Sequence, residues 1–219
     1  MTETVLDLFE RSSSRLIFAD GAAVDTNEIV DRGGRLVSVL ARHGLQAGDR
    51  MAVRLPNGAA YLVALAAAAI GRFVLVSVNS RFSEAEADDL VARSGAKALC
   101  TDDPAGTARV GVEVIGPEML RTVDGAFPAT APRPTPTDRF VVFTTSGTTG
   151  APKMVVHSHR SIAVHARSAA DGFGITAKGK RYLAPLIAGE DYPVYRNGMP
   201  QYVELKNQLV KKKLPAFKV

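Results

Sequence analysis

The sequence predicts an α/β fold in which a mostly parallel β-sheet is flanked by helices. First, strand-like and helix-like segments alternate along residues 1–177. Second, several strand-like segments are almost continuously apolar, as in RFVVF at 139–143, which is typical of parallel strands buried on both faces. Third, the segment 59–70 is apolar nearly all round, which is typical of a helix buried against other elements.

Each predicted element has a local justification in its pattern or its flanking residues. Asp25, with Glu28 three residues later, matches a capping box and predicts a helix that ends before Gly44. Ser83 and Gly95 bracket another helix in the same way. The predicted helices cover residues 4–11, 26–42, 59–70 and 84–94, with a further helix from 158 onward. The predicted strands cover residues 15–20, 51–55, 73–79, 96–101 and 139–143.

A proline-rich stretch separates the first four predicted strands from the strand predicted at 139–143. Between Phe127 and Arg139 the chain reads PATAPRPTPTD, with four prolines. Proline at this density predicts a semi-rigid surface connector. A ligand for a proline-recognition domain is the alternative interpretation.

Bulk properties narrow the classes of function. The chain has 219 residues and a net charge of +5, but residues 178–219 hold 9 Lys and Arg against 3 Asp and Glu. The rest of the chain therefore carries a net charge of −1, which gives no indication of nucleic-acid binding. The single cysteine, Cys100, predicts a reducing, cytoplasmic location and a buried thiol. No segment predicts a secretory signal or a membrane span.

The stretch TTSGTTGAPK at 144–153 has a composition suited to holding phosphate. It follows the apolar strand 139–143 and precedes a predicted helix. Glycines allow backbone amides to approach an anion, hydroxyls donate hydrogen bonds to phosphate oxygens, and Lys153 supplies a positive charge. The spacing differs from a Walker A loop, because Ala151 and Pro152 separate the last glycine from Lys153. A flexible solvent loop is the alternative interpretation.

The same stretch resembles the signature loop of the acyl-adenylate-forming superfamily, which includes acyl-CoA synthetases and adenylation domains. Residues 44–101 are similar to the segment that those enzymes carry upstream, and LDLFERS at 6–12 resembles their usual start. The resemblance extends over about residues 5–176. It implies the N-terminal part of the large domain of such an enzyme.

The resemblance implies an ATP-dependent ligase that activates a small carboxylic acid. The carboxylate attacks the α-phosphate of ATP to give acyl-AMP and pyrophosphate, and coenzyme A then accepts the acyl group. Mg²⁺ is expected to accompany the nucleotide, and the sequence predicts no residue as a metal ligand.

The resemblance also implies roles for individual residues. Lys153 and His159 are the candidate catalytic residues, and a packing role is the alternative for His159. The Ser158-His159 pair matches the pair that follows the loop in the family. The residues expected to contact the β- and γ-phosphates are Thr145, Ser146, Gly147, Thr148, Thr149, Gly150 and Lys153.

Two departures from the family pattern stand out. Ser77 occupies a strand position where the family commonly has proline. After residue 177 the composition changes to a basic, Lys- and Tyr-rich tail at 178–219, in which GEDYPVYRNGMPQYVELKN at 189–207 loosely resembles the C-terminus of pyrophosphate-type phosphofructokinases. Lys211, Lys212 and Lys213 are interpreted as a solvated helix end, with an anion-binding patch as the alternative.

The sequence therefore leaves three hypotheses for function. The first is the N-terminal part of a carboxylate-activating ligase that does not complete adenylation by itself. The second is a non-catalytic module that binds a nucleotide or polyphosphate, or that a separate polypeptide complements. The third is a chimeric product whose tail derives from a phosphofructokinase. A sheet interrupted near residue 177 is expected to leave an exposed edge open to self-association.

Overall fold

The computed structural model describes residues 3–12, 14–17, 23–103, 112–121, 132–145 and 153–172. These residues belong to one compact unit. Most of the phosphate-binding candidates, the first part of the proline-rich stretch and the whole tail at 178–219 lie outside the described residues. The predictions for those segments therefore stay predictions.

All the predicted helices and strands are present, and four short elements at 23–25, 113–115, 117–121 and 153–158 are additional to them. The helices are α1 Val5–Arg11, α2 Thr26–Arg42, α3 Ala59–Gly71, α4 Glu84–Ser94, α5 Pro117–Arg121 and α6 His159–Gly172. The strands are β1 Arg15–Ile17, β2 Ala23–Asp25, β3 Arg50–Arg54, β4 Val74–Ser77, β5 Ala98–Thr101, β6 Glu113–Ile115, β7 Arg139–Thr145 and β8 Lys153–Ser158. Among the described residues, no helix combines the length and apolar character needed to cross a membrane.

The main sheet has six strands in the order β6-β5-β3-β4-β7-β8. All neighbouring pairs are parallel except the last, because β8 runs antiparallel to β7 at one edge. Strands β1 and β2 form a separate antiparallel pair. The α/β fold with a mostly parallel sheet is confirmed.

Two hydrophobic layers cover the two faces of this sheet. On one face α1, α2 and α3 pack around Met51, Leu75 and Val141, all of which are buried. On the other face α4 packs its buried Leu90 and Val91 over the sheet. Side chains alternate between the faces along each strand, so neighbouring residues of β7 enter different layers.

The helix-capping predictions have mixed outcomes. Ser83 caps α4 through a capping box with Glu86, and Gly95 ends that helix in the left-handed conformation at φ 64°. The capping box predicted at Asp25 is wrong, because the Asp25 side chain makes no cap hydrogen bond. Instead, the hydroxyl of Thr26 donates to the carbonyl of Ser12, 2.7 Å away, and ties the start of α2 to the chain after α1.

Candidate functional site

The stretch predicted to bind phosphate begins at the carboxyl edge of the sheet. Strand β7 continues to Thr145, two residues beyond its predicted end, and it runs parallel to β4. Ligands of open α/β sheets bind beyond the carboxyl ends of the parallel strands. The start of the loop therefore lies at the edge of the sheet where a ligand is expected.

The helix predicted from residue 158 onward is confirmed as α6, but a strand that the sequence does not predict separates it from the loop. Lys153 begins strand β8, which pairs with β7 over six residues, so residues 146–152 connect the two strands of an antiparallel hairpin. Helix α6 begins only at His159, beside the start of β7. Six residues of strand span about 20 Å, so the positive end of the α6 dipole is too far away to act on the loop.

The hairpin brings two of the predicted site residues together at the base of the loop. Thr145 and Lys153 are direct partners in the β7–β8 register, and both are exposed. Lys153 makes no ion pair with another described residue. Ser146, Gly147, Thr148, Thr149 and Gly150 lie outside the described residues, and their predicted roles stay predictions.

The structure separates His159 from Lys153 by the length of β8. The His159 side chain is fully buried, and its ring lies 4.5 Å from that of Phe140. Its Nδ1 accepts a hydrogen bond from the backbone N–H of Val5, 3.3 Å away. This N–H belongs to the first turn of α1, where no intrahelical acceptor exists, so His159 caps the start of that helix.

Burial controls the protonation of His159. Desolvation lowers the pKa of the ring to about 4, against an ordinary value of 6.5, and it outweighs the opposing attraction of Asp138 and Asp7. The ring is therefore neutral at pH 7, and Nδ1 acts as an acceptor. These contacts favour the packing alternative for His159, and its catalytic role stays a prediction.

A further polar pair lies at the carboxyl edge, next to β7. The hydroxyls of Tyr61, near the start of α3, and Ser77, at the end of β4, are 3.2 Å apart. The sequence identified Ser77 only as a departure from the family pattern, and it interpreted residues 59–70 as uniformly apolar. A lone tyrosine hydroxyl in the first turn of an otherwise apolar helix is the signal that indicates this pair.

Cys100 is a buried thiol, as the sequence predicts. The thiol is buried in strand β5, and burial raises its pKa to about 12. A thiol with this pKa stays protonated at neutral pH and is a poor nucleophile.

Together the parallel sheet, its helical layers and the hydroxyl- and lysine-bearing hairpin define an α/β protein with a candidate ligand site at the carboxyl edge of the sheet. Comparison with known families then identifies it more closely. The chain belongs to the AMP-binding enzyme family, whose model matches residues 11–195. The match extends past residue 177, so the boundary predicted there stays a prediction.

Curated relatives fall into two groups. The chain is 30% identical to the long-chain-fatty-acid–CoA ligase FadD13 of Mycobacterium tuberculosis over 168 residues, covering 69% of this chain and 33% of that ligase. It is 55% identical to a pyrophosphate–fructose 6-phosphate 1-phosphotransferase of Halomonas elongata over 49 residues, covering 22% of this chain and 12% of that enzyme. Both predicted resemblances are confirmed, and the chain spans only about a third or less of either relative's length.

Solved structures of adenylating enzymes resemble this chain in fold, in agreement with the match to the CoA ligase. The apo structure of MatB from Rhodopseudomonas palustris has 26% sequence identity and a TM-score of 0.68, with 80% of this chain and 38% of that chain covered. The N-terminal subdomain of NpsA from Klebsiella oxytoca, in complex with 3-hydroxybenzoyl-AMSN, has 25% identity and a TM-score of 0.64, with 74% and 42% covered. The fold is thus that of adenylating-enzyme N-terminal subdomains.

Proposed function

We propose that the β7–β8 hairpin binds the β- and γ-phosphates of ATP during formation of an acyl-adenylate from a carboxylic acid. In this reaction a carboxylate oxygen bonds to the α-phosphorus, the α–β phosphoanhydride bond breaks, and pyrophosphate leaves with that electron pair. The observation that carries the proposal is the pairing of Thr145 with Lys153 at the base of a glycine- and hydroxyl-rich loop on the carboxyl edge.

Lys153 and Thr145 would stabilise the departing pyrophosphate in complementary ways. The ammonium group is not neutralised by any described residue, so it is available to compensate the charge that develops on pyrophosphate. The Thr145 hydroxyl can donate a neutral hydrogen bond next to it. Their pairing across the hairpin fixes the backbone positions of the two residues relative to each other before a ligand binds.

The resemblance to adenylate-forming enzymes implies that Mg²⁺ accompanies ATP and that coenzyme A accepts the acyl group. The described residues at the end of β7 offer hydroxyls and an amine rather than carboxylates, so the chain fits a nucleotide-bound Mg²⁺ whose ligands are mainly phosphate oxygens and water. The proposal assigns the acyl substrate to the class of small carboxylic acids and goes no further. Candidate acids are to be tested with ATP present.

Calorimetric titration with pyrophosphate and with ATP tests the role of the hairpin. We expect Lys153→Ala to weaken binding of both by at least about tenfold, because a hydrogen bond to a charged group contributes about 1.5–3 kcal/mol. Lys97→Ala is the matched control, since Lys97 is exposed on the amino edge and pairs with Asp49 at 2.8 Å. Equal affinities of Lys153→Ala and the unaltered chain would contradict the proposal.

A second measurement separates binding from complete catalysis. We propose that residues 1–177 supply the pyrophosphate site but not the remaining contacts of the ligase, since the chain spans only 33% of the ligase FadD13. Carboxylate-dependent ATP–pyrophosphate exchange should therefore stay at background for the purified chain even when it binds pyrophosphate. Robust exchange would contradict this part of the proposal and leave the binding role intact.

A further inference from the structure

The β7–β8 hairpin carries two neighbouring residue pairs on the same face of the sheet. Phe143 pairs with Val155, and Thr145 pairs with Lys153. Side chains alternate between the two faces along a strand, so residues two positions apart share a face and lie about 7 Å from each other. The apolar pair is therefore the residue pair next to the predicted phosphate contacts on their own face.

Helices α1, α2 and α3 cover β7 on this face only as far as Val141. This valine, two residues before Phe143, is buried in their hydrophobic layer. Toward the carboxyl edge the cover ends, and Phe143 is 42% exposed and Val155 is 39% exposed. On the other face, by contrast, Met154 packs with Val142 into the layer of α4. An aromatic ring and a valine are thus left open beside the predicted phosphate contacts.

The open pair suits hydrocarbon better than a polar group. Neither side chain has a hydrogen-bonding atom, and the backbones of both residues are paired within the hairpin. The ring of His157 lies 5.6 Å from that of Phe143, one residue pair further from the loop. A nucleotide base has several donors and acceptors that need partners when it is buried, whereas an apolar body is stabilised by covering two apolar side chains. The pair therefore favours an apolar ligand group over adenine.

Tyr61 and Ser77 lie beside the apolar pair on the side of β4. Ser77 follows Val76, which pairs with Val142, so it is the neighbour of Phe143 in the adjacent strand. Its hydroxyl lies 3.2 Å from that of Tyr61, and the two hydroxyls bond to each other. Small-molecule sites commonly combine apolar contacts with a few polar groups. The hairpin face has this composition, with an apolar centre, a hydroxyl pair on one side and a lysine at the loop.

The proposed reaction brings the acid close to this pair. The carboxylate attacks the α-phosphorus, and the α-phosphate adjoins the β-phosphate, which the Thr145–Lys153 pair is proposed to bind. The carboxyl group must therefore lie near that pair when it reacts, and the body of the acid must lie against a neighbouring surface. The apolar pair is such a surface on the same face.

We propose that Phe143 and Val155 bind the apolar body of the carboxylic acid that is activated. The inference rests on the proposed function, because the phosphates set the position of the carboxyl group. It narrows the substrate class to acids with an aromatic or branched apolar group near the carboxyl group. Phe143 and Val155 are then specificity-determining residues, and an acid without such a group binds less tightly.

Valine-methyl NMR of the full chain, with pyrophosphate present, tests where the acid binds. Benzoate is the probe. We expect it to shift the methyl signals of Val155 and to leave those of Val156 unchanged. Val156 is the matched control, because it is the next residue of the same strand, points to the opposite face and is 48% exposed.

Phe143→Ala tests the contact itself. Acetate, which has the same carboxylate and only a methyl group, is the reference ligand. The ratio of benzoate to acetate affinity should fall by about three- to tenfold in this variant, because a pair of aromatic rings is stabilised beyond the area that it buries. Val156→Ala should keep the ratio of the unaltered chain. Urea midpoints of both variants check that the fold is retained.

Pyrophosphate titrations separate this inference from the proposed function. If Lys153→Ala does not weaken pyrophosphate binding, the proposed function fails. If Lys153→Ala does weaken it, three results would overturn the inference about the acid alone. These are equal affinities of benzoate and acetate for the unaltered chain, an unchanged ratio in Phe143→Ala, and methyl shifts at Val156 instead of Val155.

Discussion

The two ring nitrogens of His159 differ in their hydrogen bonding. Nδ1 accepts the backbone N–H of Val5, whereas Nε2 is buried and has no hydrogen-bond partner among the described residues. Protonation would place a positive charge in this buried site and convert the Nδ1 acceptor into a donor that faces another donor. The packing of α1 against α6 therefore depends on the neutral ring.

This dependence predicts how stability responds to pH. The folded-state pKa of His159 is about 4, below its ordinary value of 6.5, so the unfolded chain takes up the proton first as the pH falls. This contribution to stability is fully present above pH 6.5 and is lost between about pH 6.5 and 4, by about 3 kcal/mol. Urea unfolding at pH values across this range measures the loss.

Asn is the informative replacement for this histidine. Its side-chain oxygen can occupy the position of Nδ1 and accept the Val5 N–H without titrating, so His159→Asn should flatten the pH dependence above pH 4. His165→Gln, at an exposed position of α6, is the control and should keep the dependence of the unaltered chain. Identical pH profiles for all three proteins would show that His159 does not contribute.

Among the elements, helices α2 and α3 pack closely against each other at Gly33. A Cβ added to Gly33 would lie 2.8 Å from the Cβ of Ala66 and 3.0 Å from the backbone nitrogen of Ala67. Neither atom can rotate away, because one is a methyl group fixed to the backbone and the other is backbone. The contact therefore requires a residue without a side chain in α2 and small residues in α3.

Gly33→Val should destabilise the fold by about 1–3 kcal/mol, since overpacking forces the helices apart. Ala41→Val on the exposed side of α2 carries the same β-branched side chain without the clash and should cost less than about 1 kcal/mol. Urea denaturation of both variants measures the difference. Equal losses in the two variants would mean that helix propensity, not packing, explains the effect.

In the described part of the chain, the edge strand β8 carries exposed apolar side chains. Val155 is 39% exposed and Val156 is 48% exposed, on opposite faces, and Phe143 of β7 is 42% exposed beside them. An apolar edge of this kind can pair with a strand of another chain. We expect concentration-dependent self-association of the purified protein in sedimentation velocity experiments.

A lysine on the edge strand should oppose this association. Val155→Lys introduces a charge that would have to be desolvated when β8 pairs with a second strand, so the monomer fraction should rise. Val164→Lys places the same charge on α6, at a valine that is 41% exposed, and should have a smaller effect. If both variants sediment like the unaltered protein, β8 is not the contact surface.

Local signals explain which elements the sequence could predict. The bounds of α2 and α4 follow from their glycine stops and apolar periodicity, and both helices occupy the predicted residues. Strand β8 is not predicted, because KMVVHS is a short segment between the predicted loop and the helix predicted from 158 onward. Its strand state depends on pairing with β7, a contact between segments that no local pattern encodes.

For the candidate site too, the sequence predicts what depends on local residue types and misses what depends on contacts between distant segments. Residue types in TTSGTTGAPK indicate phosphate binding without any structure, because glycines, hydroxyls and a lysine in that combination suit an anion. The burial of His159 depends on α1, whose Val5 is 154 residues away in sequence. The Tyr61–Ser77 pair likewise requires α3 to lie over the end of β4.

At the scale of the whole molecule, the charge is divided unevenly along the chain. Residues 178–219 carry a net charge of +6, and the remaining residues carry −1. In the described part of the chain, ion pairs hold α1 in place. Arg133 contacts Asp7 at 3.0 Å and Glu10 at 2.7 Å, and Arg167 pairs with Glu3.

The predicted boundary at residue 177 is testable with a chain that ends there. The buried apolar side chains of the described part lie between residues 5 and 163, so we expect residues 1–177 to unfold at the same urea concentration as the full chain. At about 0.05 M salt the full chain should bind pyrophosphate more tightly, because its extra positive charge attracts anions. At about 0.5 M salt, screening should remove that difference in affinity.

A lower urea midpoint for the shortened chain, or a difference in affinity that persists at high salt, would place the boundary beyond residue 177. It would then lie within the stretch to residue 195 that the family match covers.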